Sequence, residues 1–220
     1  MKKLFKAIRH GEIEVVKQII QDKPTLVNCV AKQPPKKDDG QSPLQVALKT
    51  GNFEIAEYLI DMGADLNFIE DVSCCNSWRM PVVHDAITAA VMKSRWNTNN
   101  KYMGFKVFST EQDAKRAYAI LKKMIDLGAD VNALDSHGSS GIWRFCSQAN
   151  QILPSYNYST HCESDDRIFT EELEEDLSNI VNLLYKSGAD FSYESPNVKC
   201  TVFEFYKEGS LAKLLKNISV

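Results

Sequence analysis

The chain has 220 residues, of which 44% are hydrophobic, and a formal net charge of −3 from 26 basic and 29 acidic side chains. This balance argues against a general nucleic-acid binder, for which a clustered basic excess is typical. No run of about 18 apolar residues occurs, so we expect no membrane span. The N-terminal residues lack the apolar segment of a signal peptide, and the six cysteines show no regular spacing. We therefore expect a cytoplasmic protein with reduced thiols.

Two short amphipathic helices are predicted at the start of the chain. Apolar residues recur at helical spacing around Leu4 and around Val16, and His10-Gly11 separates the two groups. The following segment, residues 30–39, carries Pro34-Pro35 and three lysines, which predicts an exposed, extended finger. A basic binding patch in this finger is the alternative to a solvated loop.

The most regular stretch runs from residue 38 to residue 69. Ser42 suits the N-cap of a helix whose first turn holds Pro43, and Gly51-Asn52 predicts a turn into a second helix. Gly63 falls where a left-handed C-cap residue belongs, and an extended tail follows it. This stretch therefore predicts two helices joined by a tight turn.

Copies of this unit follow along the chain. The tripeptide Gly-Ala-Asp begins at Gly63, Gly128 and Gly188, each time after a helix rich in Ile and Leu. One helix pair cannot bury its own apolar face, so the copies indicate stacked repeats. The motifs Ser-Pro-Leu-Gln-Val-Ala-Leu, Gly-Asn-Phe-Glu-Ile-Ala and Gly-Ala-Asp-Leu-Asn in this chain resemble the ankyrin repeat, a unit of about 33 residues.

The resemblance implies an all-α ankyrin-repeat solenoid of helix–turn–helix units with short β-turn or finger junctions. We expect a single domain of about five units, of which the first and last are terminal caps that complete the array. The predicted units cover residues 3–37, 38–70, 71–135, 136–195 and 196–220.

Two units are longer than the regular one. Pro43 and Gly63 are 20 residues apart, whereas the equivalent spacing is 46 residues in the third unit and 47 in the fourth. We place the insertions at about residues 93–112 and 154–169, with Thr110 or Asp113 and then Thr170 beginning the helices that follow. Insertions of similar size at the same place in neighbouring repeats are expected to lie side by side and pack together.

No sequence pattern indicates catalysis. His161-Cys162 with Asp165-Asp166, and Cys74-Cys75, lack the pairwise spacing of structural zinc sites. Gly-rich phosphate loops and nucleophile motifs are also absent from the sequence. His84 occupies the histidine position of the repeat, where the resemblance implies a structural hydrogen bond between neighbouring turns. We predict no enzyme activity, no cofactor and no bound metal.

The function implied by the resemblance is binding of another protein by a monomer. Trp, Tyr and Arg dominate interface hot spots. The first candidates are therefore Trp78, Arg79, Trp143 and Arg144, at the junction tips and on the concave first helices, followed by Trp96, Tyr102, Tyr156 and Tyr158 in the insertions. Phe105 and Phe108 are expected to pack internally.

Two other functions stay open on the sequence alone. The chain could be a regulatory or inhibitory cap on an enzyme, of the antitoxin or immunity-protein kind, with the insertions filling a cleft. It could alternatively hold a small molecule or metal between the two insertions. The first insertion is basic and the second leans acidic, which either mutual attraction or a groove of mixed charge would explain.

Overall fold

The computed structural model describes residues 1–218; residues 219 and 220, at the end of the predicted fifth unit, lie outside it. Its described part contains ten α-helices in five consecutive pairs. The pairs are α1 (Lys2–His10) and α2 (Ile13–Asp22), α3 (Pro43–Thr50) and α4 (Phe53–Asp61), α5 (Val82–Met92) and α6 (Glu111–Asp126), α7 (Gly141–Ile152) and α8 (Glu171–Lys186), and α9 (Val202–Phe205) and α10 (Gly209–Lys216). Short 3₁₀ helices lie at Pro24–Asn28 and Lys36–Asp38.

The pairs stack into two layers. The first helices α1, α3, α5 and α7 each contact the next, and the second helices α2, α4, α6, α8 and α10 do the same. One continuous core of buried apolar side chains runs from Leu4 in the first pair to Ile218 after the last. This arrangement confirms the all-α repeat solenoid. Among the described helices, none has both the length and the apolar character needed to cross a bilayer.

Local capping fixes the helix boundaries where the sequence predicted them. Ser42 and Gln45 form a capping box at the start of α3, with Pro43 at its first position. The hydroxyl groups of Thr110 and Thr170 accept hydrogen bonds from the backbone N–H groups three residues ahead, at the starts of α6 and α8. Gly63 has the predicted left-handed conformation, with φ of 84°.

Three asparagines join the end of each unit to the next unit. The side-chain amide of Asn28 donates to the carbonyl of Gly63 at 3.0 Å and accepts from the N–H of Asp65 at 2.8 Å. The same two bonds join Asn67 to Gly128 and Asp130, and Asn132 to Gly188 and Asp190. We call this series the asparagine ladder. Ser192 stands where a fourth asparagine would continue it, and it bonds instead to Asp190.

Both insertions form short antiparallel hairpins between the two helices of their units. The first hairpin pairs β1 (Asn97–Asn100) with β2 (Gly104–Val107), and the second pairs β3 (Tyr156–Asn157) with β4 (Cys162–Glu163). The side chain of Asn97 donates to the carbonyl of Ile168 at 2.8 Å and accepts from its N–H at 2.9 Å. The expected packing of the two insertions against each other is therefore confirmed.

Arg95 anchors the first insertion to α8. Its guanidinium donates to both carboxylate oxygens of Asp176, at 2.8 and 3.0 Å, and to Glu175 at 2.9 Å. These hydrogen bonds raise the pKa of Arg95. Because the Asp176 side chain is only 10% exposed, this pair is a partly buried, two-point contact between insertion and helix.

Candidate protein-binding surface

Trp78 lies in the second finger, which we define as residues 70–81. Its indole N–H donates to Asp135 at 2.7 Å, and the guanidinium of Arg144 lies over its ring at 5.2 Å. The edge of His137 approaches the ring at a centroid distance of 5.2 Å. The side chain is nevertheless 49% exposed. The indole is therefore held in one orientation by its own chain while half of its surface stays open.

The third finger, residues 134–139, supports this arrangement. Asp135 is buried and accepts hydrogen bonds from the backbone N–H groups of His137 and Ser139, both at 2.9 Å. The main chain of Arg79 donates to the Ser136 hydroxyl at 3.0 Å and accepts from the Ser136 N–H at 2.9 Å. Trp78 and Arg79 thus lie where the second and third fingers meet, and the Arg79 side chain is partly exposed.

Arg144 lies beneath Trp78 instead of on the surface. It is 8% exposed, and its guanidinium contacts the sulfur of Met80. Burial lowers the pKa of Arg144, and the charges of Asp85 and Asp135 oppose that shift. Its Nε atom has no hydrogen-bond partner among residues 1–218. The placement corrects the expectation that Arg144 is an exposed candidate: its role in the described structure is to fix Trp78.

Trp143 also differs from its expected position. It is 8% exposed and packs against Phe205 and Tyr206, at centroid distances of 5.6 and 6.4 Å. Its indole N–H donates to the carbonyl of Tyr193 at 3.3 Å. The ring is part of the core between the fourth and fifth helix pairs, so little of it can meet a partner.

A buried polar cluster lies beside Arg144, between α3 and α5. Glu70 and Asp85 are 3% and 4% exposed. The Lys49 ammonium lies 3.3 Å from Glu70 and 3.6 Å from Asp85, and the Gln45 amide donates to Asp85 at 3.0 Å. Burial raises the pKa of Asp85 to about 6, partly offset by Lys49. The sequence prediction missed this cluster. The signal that could have found it is Asp85, an acidic residue within the otherwise apolar sequence of α5.

His84 has the structural role that the resemblance implied. It is fully buried, and its Nε2 lies 2.9 Å from the carbonyl of Ala133 before the third finger. Burial, followed by the charge of Arg144, lowers its pKa to about 4. The imidazole is therefore neutral near pH 7, and the proton on Nε2 donates to that carbonyl.

The first finger, residues 30–41, forms a basic groove with α1. The groove has a volume of about 420 Å³, and its lining combines apolar residues such as Phe5 and Pro34 with four basic side chains. These are Lys2, Lys6, Arg9 and Lys32. Arg9 is paired with the buried Asp38, which leaves the lysines as the uncompensated charges of this lining.

The first hairpin separates the aromatic residues into two groups. Trp96 stacks on Phe108 at a centroid distance of 4.4 Å and donates its indole N–H to the carbonyl of Met92 at 3.2 Å, so it packs internally. Tyr102 and Met103, at the tip, are 97% and 78% exposed. Phe105 is 51% exposed, so the expectation of internal packing was wrong for this residue; Phe108 is 44% exposed, so its internal packing is partial, through its contact with Trp96.

Tyr156 and Tyr158 belong to the second hairpin, where they face the turn between α9 and α10. The hydroxyl of Tyr156 donates to Glu208, and that of Tyr158 donates to the carbonyl of Phe205 at 3.4 Å. Tyr156 and Trp96 thus contact different neighbours, and the described contacts between the insertions are polar. No group of three or more His, Cys, Asp or Glu suited to a metal ion occurs within residues 1–218.

Stacked helix pairs, projecting fingers and an exposed but fixed aromatic side chain define a helical repeat protein that presents an extended surface. Residues 2–88 match a family model described as ankyrin repeats (3 copies). Residues 2–88 are therefore similar to ankyrin repeats, which are generally non-catalytic protein-interaction modules, and the helix pairs that follow fit the same kind of repeat solenoid. No curated protein matches the chain significantly.

Proposed function

We propose that this chain is a non-catalytic module that binds another protein through its finger tips and the concave face of its first helices. The observation that carries the proposal is the environment of Trp78, which is half exposed and fixed by Asp135 and Arg144. An aromatic side chain that is already ordered costs little entropy on binding. Tryptophan and arginine are also the side chains most enriched at hot spots, and Arg79 lies beside the ring.

Charge suggests the chemistry of the partner. The groove between α1 and the first finger carries Lys2, Lys6 and Lys32, and these lysines would attract an acidic protein surface. The proposed partner therefore has an acidic segment for this groove and an apolar pocket for Trp78. We further propose that the chain acts as a cytoplasmic monomer, which suits its six free cysteines.

The first hairpin would extend the contact. Tyr102, Met103 and Phe105 form an exposed apolar tip at the opposite end of α5 from Trp78. An α-helix rises about 1.5 Å per residue, so a partner would follow α5 for roughly 16 Å to reach both. Patches of exposed apolar side chains are a common mark of interaction sites.

Affinity capture with paired variants tests the proposal. Immobilised wild-type chain, Trp78→Ala and Tyr185→Ala are exposed to extract from the native source, and the captured proteins are quantified by mass spectrometry. Tyr185 is a matched control because it is 40% exposed but lies on the outer helix α8. Loss of a hot-spot tryptophan costs about 2 kcal/mol or more, so a true partner should bind roughly thirtyfold more weakly to Trp78→Ala alone.

Thermal melting monitored by circular dichroism establishes that both variants stay folded. If every protein captured by the wild-type chain is retained equally by Trp78→Ala, the proposed surface is wrong. If capture falls equally with Tyr185→Ala, the contact lies on the outer face and the proposal also fails.

A further inference from the structure

The second hairpin and the turn between α9 and α10 enclose a cavity of about 310 Å³. Four aromatic rings line it, two from the hairpin and two from the end of α9. They are Tyr156, Tyr158, Phe205 and Tyr206. We call this space the aromatic cavity. Its volume is at the lower end of the range for small-molecule sites, so it suits a compact group.

The four rings form two corners. Tyr156 and Tyr158 meet at a centroid distance of 5.0 Å and an interplanar angle of 78°. Phe205 and Tyr206 meet at 4.9 Å and also at 78°. The hydroxyl of Tyr158 donates to the main chain of Phe205, which ties one corner to the other. Rings set at nearly right angles around one space can surround a rounded group on several sides.

The rings are held in place by the fold. Trp143 packs behind Phe205 and Tyr206, inside the core. Gly209 has φ of +83°, and a Cβ atom there would lie 3.0 Å from Tyr156, so a glycine allows the close approach of that ring. Tyr158 and Phe205 are 50% and 44% exposed, which leaves the cavity open to solvent.

The charge of the lining is negative. Glu208 is the one charged side chain among the residues that line the cavity. It accepts hydrogen bonds from the hydroxyl of Tyr156 and from Nδ1 of His161, which lower its pKa and keep it ionised. Lys207, Lys213 and Lys216 do not line this cavity; they line an adjoining space that shares Tyr156, Glu208 and Gly209 with it.

Aromatic faces carry negative partial charge and attract cations, and a nearby carboxylate adds to that attraction. A neutral apolar ligand would gain nothing from Glu208, and an anion would be repelled by it. We propose that the aromatic cavity binds a methylated ammonium group, as found on a methylated lysine side chain of a protein or on a free choline-type molecule. This site is separate from the proposed partner surface around Trp78.

Titration of the full chain with four probes, two small molecules and two peptides, tests the chemistry. Choline is compared with 3,3-dimethyl-1-butanol, its neutral analogue of the same shape, by two-dimensional amide NMR. Cation–π attraction predicts that choline binds at least tenfold more tightly than the neutral analogue. Its chemical-shift changes should lie within residues 154–163 and 202–211. A peptide with one trimethyllysine, and the same peptide with unmodified lysine, serve as the third and fourth probes.

The two peptide arms identify the source of the group. Tighter binding of the trimethylated peptide than of choline assigns the cavity to a modified protein tail. Tighter binding of choline assigns it to a free small molecule. Both outcomes support the proposal, and in both the unmodified peptide should bind at least tenfold more weakly than its trimethylated form.

Paired variants separate ring chemistry from packing. Tyr158→Phe keeps the π face and should retain choline affinity within about threefold, whereas Tyr158→Leu should lose about tenfold. Glu208→Gln removes the charge and should weaken choline but not the neutral analogue. Tyr185→Leu, outside the cavity, should leave binding unchanged. Equal affinity for choline and its neutral analogue, or no shift change with either choline or the trimethylated peptide at about 10 mM, overturns the proposal.

Discussion

The two ends of the helix layer are built in different ways. At the finger end, the same contact recurs from unit to unit: three asparagines each bond to the carbonyl and N–H groups of the next Gly-Ala-Asp segment. At the hairpin end, each contact occurs once, as in the pairs Arg95–Asp176 and Asn97–Ile168. A repeat pattern can therefore define the finger end, whereas the hairpin end depends on individual long-range pairs.

The difference also separates two kinds of exposed aromatic. Trp78 at the finger end is held by a hydrogen bond and by a guanidinium over its ring. Tyr102 at the hairpin end is 97% exposed, and no aromatic or cation–π contact of its ring occurs within residues 1–218. A partner would meet a rigid anchor at one end and an adaptable side chain at the other.

The largest expected effect on stability comes from breaking the hairpin end at Arg95. Arg95→Ala leaves the carboxylate of Asp176 partly buried without its cation, and we expect the free energy of unfolding to fall by about 3 kcal/mol. Urea denaturation measures this change. Arg116→Ala, an exposed arginine on α6, is the matched control and should change stability by less than about 0.5 kcal/mol. If the two variants lower the free energy of unfolding equally, Arg95 does not anchor the first insertion.

A smaller loss is expected from one step of the asparagine ladder. Asn67→Ala removes the partner of the Gly128 carbonyl and of the Asp130 N–H, and because both hydrogen bonds are exposed, we expect a cost of about 1 kcal/mol in urea denaturation. Asn179→Ala is the control, because this exposed residue of α8 makes no side-chain hydrogen bond within residues 1–218. If Asn67→Ala and Asn179→Ala unfold at the same urea midpoint, the asparagine ladder does not stabilise the fold.

The buried cluster beside the finger end predicts a pH effect. The pKa of Asp85 is raised to about 6, so its contribution to stability is lost as the pH rises from its ordinary 3.8 through 6. The pKa of His84 is lowered to about 4, so its contribution is lost as the pH falls from 6.5 through 4. The two contributions oppose each other between pH 4 and 6.

Asp85→Asn should therefore expose the acid sensitivity of His84. Lys49, Glu70, Gln45 and Arg144 surround the substituted carboxyl and stay in place. We expect stability to fall more steeply from pH 7 to pH 4 in the variant than in the wild-type chain, by about 1 kcal/mol, in thermal melts across this range. Parallel pH profiles for the two proteins would show that Asp85 does not titrate as described.

The smallest effect on stability is expected at the tip of the first hairpin. Tyr102→Ser removes a ring that is almost fully exposed, so the free energy of unfolding should change by less than about 0.5 kcal/mol. Affinity for a captured partner should still fall, by roughly fivefold, if the tip extends the contact. A large loss of stability would mean that the hairpin tip packs against the chain.

The sequence predicts the finger end well because its signals are local. Ser42 and Gly63 act within a few residues, so their roles can be read from spacing alone. The ladder was also readable in principle, because Asn67 and Asn132 both follow Gly-Ala-Asp-X. The pairing of Arg95 with Asp176 was not, since 81 residues separate them and no repeat specifies the contact.

Trp143 shows how the repeat frame could have corrected a surface prediction. Counting from the start of each first helix, Trp143 aligns with Gln45 and His84, and both of these are fully buried. Trp78 precedes its helix and lies in a finger, so the same Trp-Arg dipeptide has a different environment. The register within the unit, more than the residue types, decides which aromatic is exposed.

Hydrogen–deuterium exchange of the chain with its captured partner tests the central claim most directly. We predict protection of amide groups in residues 70–81 and 134–139 and along α3 and α5, with weaker protection at residues 101–107. Trp78→Ala should abolish this protection at the same partner concentration. Protection confined to the outer helices α4, α6 and α8 would contradict the proposed surface.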